Sequence, residues 1–147
     1  LGGKKPKYEV VITNEDLQNV EATFSDKRDN DKVDFAMFGC PHFTLEEAQH
    51  IAEGVKGKKL AIPMYILVSS HALQMAQRMG IADVLAEAGA EIIADSCPDQ
   101  PCWHYLKGKV GITESPKCAY YPRRRGIHFI IRDLDTCIQA ALTGEVK

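Results

Sequence analysis

Residues 34–55 read DFAMFGCPHFTLEEAQHIAEGV, and the fold follows from how this stretch divides. Phe35, Ala36, Met37 and Phe38 form a continuous apolar run of the length a strand covered on both faces needs. From Thr44 the pattern changes. Thr44 followed three residues on by Glu47 is a capping box, Leu45, Ala48, Ile51, Ala52 and Val55 fall on one helical face, and Gly57 stops the helix. A buried strand therefore leads into an amphipathic helix, and Gly39-Cys40-Pro41-His42 fills the turn between them.

Outward from this unit the same alternation recurs. Strands are expected at 8–13, 33–38, 60–68, 91–94, 109–113 and 128–132. Helices are expected in NEDLQNVEATFS, in SSHALQMAQRMGIADVLAEAG as one long helix or a pair broken near Gly80, and in DLDTCIQAALTG with Gly144 as its stop. KRDNDK, residues 27–32, reads as a charged, solvated loop. Strands alternating with helices predict an α/β fold, three-layer αβα with a mainly parallel sheet, Rossmann-like or flavodoxin-like. At 147 residues the chain fits one domain, 1–147, able to bury its own core. The opening LGGKKPKYEV reads as a linker entering a strand, and the chain as a piece of a longer protein.

Apolar residues make up 45% and charged residues 26%, which argues against disorder. No window approaches the roughly 18 consecutive apolar residues of a membrane span, and no signal peptide is visible. A cytoplasmic protein without membrane partners is expected. The net charge of -2 gives no basic face for nucleic acid. The basic run Arg123, Arg124 and Arg125 could hold a carboxylate or phosphate, or form a solvated face. Five cysteines without a C-x-x-C spacing suggest neither a disulfide framework nor a zinc ribbon.

Ligands of parallel α/β sheets bind beyond the carboxyl ends of the strands. Those ends carry Gly39-Cys40-Pro41-His42, Ser69-Ser70-His71, Asp95-Ser96-Cys97 and Thr113-Glu114-Ser115-Pro116-Lys117, while the opposite ends are ordinary solvated turns. Cys40 and Cys97 both stand at strand exits and both precede proline, so neighbouring strands about 5 Å apart could present both sulfurs to one metal. The alternative is two small core residues. Cys102 and Cys118 read as structural or peripheral and Cys137 as core. His42 could orient a substrate or pass a proton, or be a loop histidine bonded to a backbone carbonyl. Ser69 and Ser70 compete to cap the helix that follows. Lys117 could meet an anionic substrate or snorkel at the surface.

Taken together, GCPHFTLEE (39–47), ADSCPDQPC (94–102) and TESPKCAYY (113–121) resemble the large component of the aconitase X family, from about Val10 to Gly144. The family's members are hydro-lyases, among them phosphomevalonate dehydratase and cis-3-hydroxyproline dehydratase. The resemblance implies that Cys40 and Cys97 are metal ligands to an iron–sulfur cluster, [4Fe-4S] or [2Fe-2S], or to iron. It implies that Ser115, Lys117, His42 and Ser70 hold substrate, and that His42 and Lys117 take part in catalysis. The substrate would be a small hydroxy acid such as 5-phosphomevalonate or cis-3-hydroxyproline. This chain resembles only the C-terminal portion, so the third ligand, the rest of the large component and a small swivelling subunit or domain are expected outside it; Cys118 is the internal competitor for the third ligand. The other class in play is a noncatalytic ligand-binding or assembly domain with buried cysteines.

Overall fold

The structure, a computed structural model, describes residues 2–3, 5–26 and 32–146. The expected charged loop at 27–32 lies outside them save for Lys32. Five parallel strands form one sheet: β1 Phe35–Phe43, β2 Met64–Val68, β3 Ala90–Ala94, β4 Val110–Thr113 and β5 His128–Ile131, in the order β3-β2-β1-β4-β5. The chain builds outward on one side of β1, then crosses to the other. The carboxyl ends of β1 and β4 therefore flank the switch point, where open α/β sheets hold their ligands.

The continuous apolar runs of β1 and β2 follow from coverage on both faces. On one face Ala36, Phe38, Met64, Ile66 and Val68 pack against α2 (Leu45–Val55), α3 (Ser70–Arg78), α4 (Ile81–Ala88) and α6 (Leu134–Thr143), through residues such as Ile51, Ala76, Leu85 and Ile138. On the other, Phe35, Met37, Tyr65 and Leu67 meet Trp103 and Leu106 of the 3-10 turn Pro101–Leu106, and Cys118 and Ala119 of the short α5 (Pro116–Tyr120). Phe24, at the end of α1 (Asn14–Phe24), joins this thinner layer. The expected α/β architecture with a parallel sheet is what forms.

Helix boundaries follow their local chemistry. Thr44 and Glu47 close the expected capping box, and Thr13 and Asp16 close another on α1. The expected break at Gly80 is real: its φ of 74° ends α3 and starts α4. Two expectations need correction. Residues 8–13 form no strand here, because a strand exists only with a partner and the nearer sheet edge is taken. Along β5, the Asp26 N–H donates to the Phe129 carbonyl (2.7 Å), and the Phe129 and Ile131 N–H groups donate to Asp26 Oδ2 (3.2 Å) and Ser25 Oγ (3.0 Å). Gly39 to His42 is not a turn either. β1 continues through it to Phe43, with a cis Cys40–Pro41 bond and an interrupted register against β2 between Phe38 and Phe43.

Candidate functional site

Gly39 sets the site's backbone. Its φ is 97°, and a Cβ there would lie 2.0 Å from the Leu67 carbonyl oxygen, so the strand passes β2 at a distance only glycine allows. The residues after it swing out of register and bring Cys40 to the carboxyl end of β1, buried. Ser115, the N-cap of α5 after β4, holds it there: the Ser115 hydroxyl donates to the Cys40 carbonyl and accepts from the Cys118 N–H at 3.2 Å. This bond spans the switch point. Ser115 is itself buried, so its hydroxyl acts on the backbone of Cys40.

Cys97 comes from the other direction. β3 is not adjacent to β1, because β2 lies between them, so the expectation of two sulfurs on neighbouring strands is corrected. The loop after β3 bends back across the end of β2 instead. Asp95 turns it with a φ of 53°, its N–H donates to the Val68 carbonyl (2.9 Å), and its Oδ1 accepts from the Ser70 N–H at the start of α3 (3.0 Å). His42 Nε2 meets the Ser96 carbonyl at 2.7 Å, and Trp103 Nε1–H donates to the Cys97 carbonyl at 2.9 Å. Cys97 is thereby half-buried beside Cys40. Burial pushes the Cys40 thiol up, Cys97 adds to the rise, and Lys117 opposes it.

Among the described residues the Lys117 side chain makes no ion pair or hydrogen bond, and it is exposed on α5. Ser70 is exposed at the first turn of α3, which Ser69 caps by accepting from the Ala72 N–H (3.2 Å). Cys118 is fully buried and its thiol is pushed well up by that burial. Cys137 lies in the core of α6 and Cys102 is exposed. The arginine run is spent on its own carboxylates: Arg123 pairs with Asp26 at 2.8 Å, and Arg124 and Arg125 both pair with Asp99. It offers no free anion clamp.

One residue without an assigned role from sequence stands out. Glu114 follows β4, pairs with no cation among the described residues, and accepts from the Thr113 hydroxyl (3.3 Å). Burial, opposed by its hydrogen bonds and reinforced by Glu47, pushes its carboxyl up to about 7. The sequence signal was its place in a strand-end run; its burial became visible only in the folded chain, where Glu47 of α2 and Cys137 of α6 come near it.

Residues 33–143 match the family described as Aconitase X third domain. The chain is 31% identical to the phosphomevalonate dehydratase large subunit of Thermococcus kodakarensis, over 95% of this chain and 38% of that protein. It is 29% identical to the cis-3-hydroxy-L-proline dehydratase of Hypocrea jecorina, over 88% of this chain and 22% of that protein. The solved holo-form of Thermococcus kodakaraensis aconitase X superposes with a TM-score of 0.74 at 30% identity, covering 95% of this chain and 38% of the other. The chain thus spans well under half the length of these relatives. A parallel sheet whose switch point joins a Gly-Cys-Pro-His strand end to a Ser-Pro-Lys helix start, with a family match across most of its length, places this chain in the aconitase X family.

Proposed function

We propose that this chain supplies one wall of the active site of an aconitase X-type hydro-lyase that dehydrates a small hydroxy acid. The observation that carries the reading is the convergence of Cys40 on β1, Cys97 in the loop after β3 and the unpaired Lys117 on α5 at the carboxyl end of one sheet. Two soft sulfur donors beside each other suit iron or an iron–sulfur cluster. Among the described residues no three His, Cys, Asp or Glu side chains gather to hold a metal, so a cluster on Cys40 and Cys97 takes its third ligand from the rest of the subunit. Bound there, the iron would act as a Lewis acid on the substrate hydroxyl.

The protein side of the chemistry falls to the remaining groups. Lys117 Nζ is free to bind the carboxylate or phosphate of a hydroxy acid, and Ser70 is exposed at the first turn of α3. His42 Nε2 faces a carbonyl and so carries the hydrogen, which leaves Nδ1 as the acceptor able to take a proton. Ser115 fixes the height of Cys40 through its carbonyl.

The test is anaerobic reconstitution of the complete enzyme, with iron and sulfide analysis and dehydratase assays on 5-phosphomevalonate and cis-3-hydroxyproline. Cys40→Ser and Cys97→Ser should each lose the cluster, since serine is a poor substitute for a soft thiolate donor. Cys137→Ala should keep it. Full iron content in Cys97→Ser would remove Cys97 from the site, and a complete enzyme that binds iron but turns over neither substrate would rule out these two acids.

A further inference from the structure

The segment ahead of the domain has the composition of an interior and the exposure of a surface. Tyr8, Val10, Val11 and Ile12 are 78%, 82%, 75% and 71% exposed, and Leu17 and Val20 of α1 are exposed as well. α1 buries none of its residues. Scattered apolar side chains at a surface are ordinary, but a β-branched run at this exposure is not. Among the described residues no backbone hydrogen bond involves residues 8–12. The stretch is thus unpaired and free of proline, and as a strand it would set Tyr8, Val10 and Ile12 on one side and Glu9, Val11 and Thr13 on the other.

Its far end is fixed. The carbonyl of Thr23 accepts from Arg123 (3.3 Å), Phe24 packs edge-on against Tyr120 with ring centroids 5.3 Å apart, and Ser25 and Asp26 line the edge of β5. The segment therefore projects from a firm anchor and is aimed, not loose.

The relatives say what it is aimed at. The third-domain match begins only at residue 33. Similarity to the Thermococcus large subunit nevertheless takes in 95% of the chain, a share unreachable without most of the first 32 residues, and the solved relative superposes over the same share. The segment thus belongs to the large subunit but not to its third domain, and this chain spans 38% of that subunit. We propose that residues 8–20 are a docking element for the part of the large subunit outside this chain: residues 8–12 add as a β-strand to a sheet there, and Leu17 and Val20 pack beneath it. This rests on family membership and not on the dehydratase reading.

Hydrogen exchange on the complete large subunit tests it. The amides of Val10 and Ile12 should exchange at least about 100-fold more slowly than in an unstructured peptide. Val10→Asp in the same subunit should abolish that protection while leaving the amides of β1 and β2 protected. Exchange of residues 8–12 at the unstructured rate would overturn the proposal. So would protection that disappears on dilution to the monomer, since a second copy would then be the partner.

Discussion

Gly39 is where a single atom decides the site. A methyl group there meets the Leu67 carbonyl, and the positive φ is unfavourable for any side chain, so Gly39→Ala should cost on the order of 3 kcal/mol. Urea unfolding measures this, and an unchanged midpoint would mean that β1 and β2 part easily. Glu114 gives a second residue-level expectation, one of sign. Its carboxyl is raised to about 7, so between its ordinary value and 7 the folded chain holds a proton that the unfolded chain has released. Stability then falls as pH rises through that window. Glu47 on α2, Cys137 on α6, and Cys40 and Cys118 are the titratable groups that interact with it, and none is cationic. Glu114→Gln should match the wild type at about pH 4 and exceed it by about 1 to 2 kcal/mol at about pH 8, allowing for residual exposure. Equal urea midpoints at both pH values would show that solvent reaches the carboxyl.

At the scale of elements, α2 is the piece most completely written in its own residues. Thr44 Oγ1 accepts from the Glu47 N–H (3.2 Å) while Glu47 Oε2 accepts from the Thr44 N–H (2.8 Å). Thr44→Ala should therefore lower stability by about 1 kcal/mol in urea unfolding, with helix content otherwise retained. Such elements were legible because cap, apolar face and stop all lie within a dozen residues. β1 was half legible. Its apolar run announced a strand, but Pro41 and His42 looked like a turn, since nothing local reveals that the chain regains register at Phe43. Residues 8–13 misled for the opposite reason: the pattern of a strand is local, whereas its partner is not. The site divides the same way. That Cys40, Cys97 and Lys117 follow strand ends could be read from sequence, but β2 standing between the two cysteines is a matter of strand order, which no local pattern carries.

For the whole molecule, the two apolar layers around the sheet give this chain a core of its own, so it should fold alone and yet show no dehydratase turnover. An assay of the isolated chain with either acid checks this, and robust turnover would move the third ligand inside it, to Cys118. The treatment of β5 has another consequence. Ser25 and Asp26 occupy the hydrogen-bonding positions along that strand, and they do so with a hydroxyl, a carboxylate and one peptide group, which no incoming strand can extend. Among the described residues β3 pairs with β2 and with no strand on its other side. A sheet sealed on one flank can join another copy once, β3 to β3, and then has no flank left to offer. Growth by pairing this sheet's own edges alone therefore stops at two copies.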